Sequence, residues 1–295
     1  MAPLHLHRHD GDPVRHAGEI TRDWCLDSAR LRAARVVECG AGVFAVLDPS
    51  YPNSYDHNKI VTAADADGIR LTGLADEVLG GAGLAHRQVD VYDEVSDSTV
   101  EAFRREGYDH DAEVLMACTP DPAGPPSGSP EVHEVPESVV APTVEAMWRR
   151  VWLPDADDAS VRDLVERRRL LDVDATVHRL AVLDHAGTVA ANADLVIRSA
   201  GTAPQRAGGP VAELDGVETL PEHRGHGFGD AIVARALQVA AEQGAVLVVL
   251  TAMQHDWPRE WYARRGFAEV GPAHSFTRRP PGIPATGGQP TATTS

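Results

Sequence analysis

The nine residues Pro221-Glu222-His223-Arg224-Gly225-His226-Gly227-Phe228-Gly229 join a β-favouring run, Val211 to Leu220, to a stretch of helical periodicity. In that stretch Phe228, Ile232, Val233, Leu237 and Ala240 share one side, while Asp230, Arg235, Gln238 and Glu242 fall on the other and Gly244 marks the stop. Glycines at 225, 227 and 229 let the backbone approach an anion closely, and the free N–H groups of the helix start point at it with the helix dipole behind them. A strand, a turn nearly free of side chains and a phosphate-binding helix start are therefore expected. A Walker loop is excluded, because Gly229 is followed by Asp230 and Ala231 instead of Lys and Ser or Thr. The spacing G-x-G-x-G also excludes the G-x-G-x-x-G dinucleotide fingerprint.

What remains, R-x-x-G-x-G after a strand ending in Leu220-Pro221, resembles the coenzyme A loop of the GNAT acyltransferase superfamily. A second landmark, Trp261-Tyr262-Ala263-Arg264-Arg265-Gly266-Phe267, resembles the Tyr-x-x-x-Gly-Phe helix end of that family. The resemblance runs from about Val177 to Arg278. It implies an α/β fold with a mixed sheet and helices on both faces. It also implies an N-acyltransferase using acetyl-CoA or another acyl-CoA as co-substrate, without a metal, acting directly on a primary amine of a small molecule or peptide. Carried onto this chain, it implies that the strand Val217-Glu218-Thr219 and the segment Arg224, Gly225, His226, Gly227, Phe228, Gly229 and Asp230 hold the coenzyme. Tyr262 corresponds to the acid that protonates the leaving thiolate, a role suited to a phenol with a pKa near 10. Seven residues before it, where the family often has Asn, stands His255, a departure whose imidazole can still donate or accept as the contact to the coenzyme that the resemblance implies. Glu213 corresponds to the base, with Asp215 and Glu218 as rivals; period-two alternation places Glu213, Asp215 and Val217 on one face and Glu218 on the other. Two other readings keep the loop: a catalytically silent acyl-CoA sensor or scaffold, and an acetyltransferase of protein lysines or N-termini.

The formal charge of −17 lacks the basic footprint of a nucleic-acid binder and suits a cationic substrate. Lys59 is the single lysine. Cys25, Cys39 and Cys118 are odd in number and widely spaced, which suggests free thiols in a reducing cytoplasm. The longest apolar run, Ala245 to Met253, is far short of a membrane span, and the N-terminus has no signal-peptide core. With the amine of a small molecule or peptide that the resemblance implies, the expected partners include no nucleic acid and no membrane, and the chain is expected as a monomer or homodimer.

Thr119 to Pro130, rich in Pro, Gly and Ser, divides the chain. The organisation expected is a disordered start (1–18, with His5, His7, His9 and His16), an N-terminal domain (19–118), a linker (119–130), a catalytic domain (131–279) and a disordered tail (280–295). In the catalytic part, Ser199 to Pro210 is expected as a hairpin loop and the chain is expected to close on a pair of strands. Ala102-Phe103-Arg104-Arg105-Glu106-Gly107-Tyr108 resembles the Tyr262 landmark at an offset of 159 residues. Two tandem copies follow, the first degenerate: the glycine loop falls on Asp65-Ala66-Asp67-Gly68, whose carboxylates repel a phosphate, and Tyr262 falls on Phe103. One working coenzyme site is expected.

Overall fold

The computed structural model describes residues 12–64 and 67–280. Helix α1 (Pro13–Leu31) begins at two start signals: the Asp12 side chain accepts from the Val14 amide at 3.0 Å, and Pro13 occupies the first position. This corrects the expected irregular start over 12–18, because Ala17, Ile20 and Trp24 form a fully buried stripe that fixes the helix. Residues 1–11 and 281–295, and with them most of the expected disordered ends, lie outside the described residues.

The first half continues with β1 (Arg35–Gly40), β2 (Val43–Leu47), β3 (Lys59–Thr62), α2 (Gly68–Ala75), β4 (Arg87–Val91), α3 (Asp97–Arg105) and β5 (Asp109–Cys118). After the irregular connection 119–130, the second half has β6 (His133–Glu134), α4 (Glu137–Met147), α5 (Asp158–Glu166), β7 (Thr176–Leu183) and β8 (Val189–Arg198). It ends with α6 (Thr202–Ala207), β9 (Val211–Thr219), α7 (Phe228–Glu242), β10 (Leu247–Met253), α8 (Trp257–Ala263) and β11 (Ala268–Arg278). Wider turns extend α4 to Trp152, and tighter ones extend α5 to Asp172. The hairpin connection expected at 199–210 joins antiparallel β8 and β9, but it folds into α6 instead of an irregular loop, because α1 anchors it. Asp27 accepts from the Ala203 amide at 3.0 Å, and Arg206 reaches Asp23 at 2.5 Å. No helix among the described residues is long and apolar enough to cross a membrane.

The eleven strands of the described residues form one sheet in the order β1-β2-β3-β4-β11-β5-β10-β9-β8-β7-β6. The halves therefore share a sheet, although the connection divides them in sequence. β5 leaves its own half to pair antiparallel with β10, β11 crosses to pair with β4, and the two exchanged strands pair with each other. The expected closing pair of strands is thus β11 alone, and its neighbours come from the first half. The 159-residue offset lays β5 on β11 and α3 on α8. It also relates the two exchanged junctions: Leu250 faces Met116 in one and Val91 faces His274 in the other. They agree to one residue.

Phe103, the counterpart of Tyr262, is a core residue. It is fully buried, stacked on Phe276 of β11 at 3.9 Å and edge-on to Tyr108 at 5.1 Å. Because Phe276 arrives on the exchanged strand, Phe103 helps lock the halves together. Phe103→Ala is expected to destabilise the fold by about 3–5 kcal/mol, measured as a lower urea midpoint at unchanged slope.

Candidate active site

β9 and β10 are paired in parallel only where Val211–Glu213 faces Leu247–Val249. Beyond that point β9 stays with β8 as far as Thr219, and β10 stays with β5 as far as Met253. The strands separate, and a cavity of about 650 Å³ occupies the resulting wedge. Val217, Glu218 and Thr219 line it from β9, Thr251 to Met253 from β10, and Tyr262 from α8, with the glycine loop completing the wall.

The loop has the geometry expected of an anion cradle. Gly225 and Gly227 adopt φ of +80° and +75°, a left-handed backbone that favours glycine. Gly227 is the N-cap of α7, and no side chain caps that helix, so the amides of Phe228, Gly229 and Asp230 are left to a ligand. Gly229 has a different reason: a Cβ there would stand 3.2 Å from Cζ2 of Trp261, so glycine lets α7 pack on α8. The Asp230 carboxylate is drawn off the loop, accepting from Trp261 Nε1 at 3.1 Å and pairing with Arg265. Arg224 Nε donates to the Thr219 carbonyl at 3.3 Å, tying the loop to the end of β9.

Two imidazoles expected at the coenzyme are placed elsewhere. His226 Nδ1 turns back to within 3.1 Å of the His223 carbonyl oxygen, and the cavity wall passes from Gly225 to Gly227 without it. His255 is exposed in the turn before α8 and does not line the cavity. The next residue, Asp256, does line it, and caps α8 by accepting from the Trp257 amide at 2.7 Å.

The carboxylates of β9 need a second correction. Asp215 faces Asp194 and Glu218 faces Asn192, so three steps along β9 match two along β8. The extra residue is a bulge at Gly216, with φ of +59°, and it turns Glu218 onto the same face as Asp215. Glu213 is engaged away from Tyr262: its Oε2 accepts from Nη2 of Arg32, the residue that follows α1, at 2.9 Å, and it does not line the first cavity. Glu218 does. Its Oε1 accepts from Trp152 Nε1 at 3.0 Å, its Oε2 is buried without a partner, and burial pushes its carboxyl up to about 7. Tyr262 sits edge-on to Trp261 at 4.8 Å and to Phe267 at 5.6 Å, and burial pushes its phenol well up, so it stays protonated.

Glu113, which sequence reasoning missed, comes from the exchanged strand β5. Burial and the nearby negative charge of Asp90 push its carboxyl up to about 8. Its signal was an acid set at the head of the apolar run Val114 to Cys118. Glu113, Gly216, Glu218 and Thr251 line both the first cavity and a second one of about 390 Å³. Sheet register explains the second cavity. Gln88 and Asp90 of β4, Ser275 of β11, Glu113, Thr251, Glu213 and Asp215 all share one face. That face is the one α1 covers at Ala17, Ile20 and Trp24. Four basic side chains on the wall are each held by a carboxylate: Lys59 by Asp90 at 2.5 Å, Arg167 by Asp56 at 2.5 Å, Arg32 by Glu213, and Arg168 by Asp194 at 2.7 Å.

The first half has no such wedge. β3 and β4 stay paired through Thr62 and Val91, and the Tyr92 amide still donates to the Thr62 carbonyl at 2.9 Å. The start of α2 is filled by its own Asp67, which accepts from the Ile69 amide at 3.0 Å; Asp65 and Ala66 lie outside the described residues. Gly68 serves packing, because a Cβ would come within 2.8 Å of the Thr99 carbonyl oxygen. The described residues hold no group of three or more His, Cys, Asp or Glu that could bind a metal ion.

Residues 143–267 match the model of the Acetyltransferase (GNAT) family. No curated protein matches the sequence. A functionally unknown conserved protein from Staphylococcus epidermidis ATCC 12228 shares the fold with a TM-score of 0.64, at 14% identity over 83% of this chain and 94% of that one. A GCN5-related N-acetyltransferase from Kribbella flavida gives 0.58 at 18% identity, over 90% and 96%. A tandem GNAT protein from the clavulanic acid biosynthesis pathway gives 0.52 at 14%, over 90% and 94%. At these identities the likeness is one of fold, and the fold is a tandem GNAT architecture.

Proposed function

We propose that the part of the chain matching the Acetyltransferase (GNAT) family model, residues 143–267, transfers an acyl group, acetyl in the first instance, from coenzyme A to a primary amine of a small molecule or peptide. One observation carries the reading: the β9–β10 wedge brings an uncapped helix start, Tyr262 and Glu218 to the walls of a single cavity. The residues present fit the coenzyme. The amides of Phe228 to Asp230 suit its pyrophosphate, and beyond Glu213 the wedge edge of β9 has no partner strand, leaving Val217 to Thr219 open to an extended pantetheine arm. When bound, the coenzyme supplies the acyl group as a thioester.

The base in this reading is Glu218. Glu213, tied to Arg32, is replaced in the role by the carboxylate that lines the cavity with Tyr262. Glu218 takes a proton from the amine as its lone pair forms the new N–C bond, and Tyr262 gives one to the sulfur as the C–S bond breaks. One proton passing from Glu218 to Tyr262 through solvent then resets both. No cysteine lines the first cavity, which supports direct transfer without an acyl-cysteine stage.

Thiol release from acetyl-CoA with a panel of amines tests the reading. Measurable coenzyme binding without release above background would leave a silent acyl-CoA sensor. Tyr262→Phe is expected to lower kcat about a hundredfold or more while coenzyme affinity changes less than about threefold. Full activity of this variant across the pH range would remove Tyr262 from the acid role.

A further inference from the structure

The second cavity has a wall that the transfer chemistry does not explain. Its basic side chains are all held in ion pairs, so they present no free positive charge. Three of its carboxylates, Glu113, Asp215 and Glu218, have no ion pair among the described residues. The buried Oε2 of Glu218, without a hydrogen-bond partner, adds an acceptor that a ligand donor must satisfy. A space lined by carboxylates without ion pairs, continuous with the wedge through Glu113, Gly216, Glu218 and Thr251, favours positive charge in its occupant.

We infer that this cavity is the acceptor site and takes a small dication, with the reacting amine at Glu218 and a second ammonium held by Glu113 and Asp215. The inference rests on the transfer reading and specifies its substrate class. It gives the degenerate first half a function: Glu113 reaches the site only because β5 crosses to pair with β10, where it stands opposite Met253. The volume of about 390 Å³ admits a molecule of several non-hydrogen atoms with its water. Recognition of the distal group by two carboxylates, Glu113 half-buried and Asp215 exposed, discriminates charge more strongly than length.

Three amines that share one carbon chain test this on the full-length protein: 1,4-diaminobutane, n-butylamine and 4-aminobutanoate, with diamines of three to six carbons to cover length. Thiol release from acetyl-CoA gives kcat/KM, and calorimetry in the presence of coenzyme A gives binding. The best diamine is expected to exceed n-butylamine at least tenfold in kcat/KM, and 4-aminobutanoate is expected to fall below both. Glu113→Gln and, independently, Asp215→Asn are each expected to reduce the diamine-to-monoamine ratio at least fivefold, in variants that still melt cooperatively. A diamine no better than n-butylamine, or a preference for 4-aminobutanoate, would overturn the dication while leaving acyl transfer standing. Diamine binding that both variants weaken, without thiol release from any amine, would uphold the site and end the transfer reading. If no diamine binds or reacts, the assignment of this cavity fails.

Discussion

Gly227→Glu is expected to weaken coenzyme A binding at least a hundredfold in calorimetry. Two effects combine at this position. The backbone has φ of +75°, so any side chain here carries a strain of about 1–2 kcal/mol. The second effect is larger. Gly227 is the N-cap of α7, where no side chain caps the first amides, and a carboxylate placed there would take the position proposed for the anion and repel its charge. Gly227→Ala separates the two, because nothing lies within 4 Å of its Cβ and only the strain remains; its loss is expected to stay near tenfold. Gly229→Ala acts differently, since its methyl meets Trp261, and it is expected to show in melting temperature before it shows in affinity. Binding by Gly227→Glu within threefold of the parent chain would mean that the loop does not hold the coenzyme.

The local parts of this site were legible in the sequence, because local residues determine them. The glycine loop, the helix that follows and the Tyr262 landmark each depend on neighbours within one or two turns. The repeat was legible for the same reason, since its two copies share a helix end at a constant offset. Strand exchange was not. β5 and β11 occupy equivalent places in the two copies, and nothing within either strand says which copy completes its sheet. Glu113 was missed as a consequence, because its place beside β10 is set by pairing across the chain. Glu218 was assigned to the wrong face for a more local reason. Strict alternation assumes a regular ladder, and a glycine inside a strand, here Gly216, is the signal that the ladder is broken. At the start of the chain, Asp12-Pro13 announced α1, but the His, Gly and Pro composition around it suggested the opposite.

The Gly216 bulge also decides what Glu218→Gln should do. By moving Glu218 to the face shared with Asp215, it buries the carboxyl where both cavities meet and raises its pKa to about 7. A carboxyl raised by burial is protonated below that value and ionised above it, and only the ionised form accepts the amine proton. Turnover at saturating substrates is therefore expected to be level above about pH 7 and to fall tenfold per unit below it. Glu218→Gln keeps the shape and the acceptor for Trp152 Nε1 but cannot take a proton. It is expected to lose 10²- to 10⁴-fold in kcat, and the residual rate should lack the inflection near pH 7. Glu213→Gln releases Arg32 from its partner, yet it should retain that inflection, because Glu213 stands outside the cavity that Tyr262 lines. The reverse outcome, an inflection lost with Glu213→Gln and kept with Glu218→Gln, would return the base to Glu213 and require Arg32 to release its carboxylate during turnover.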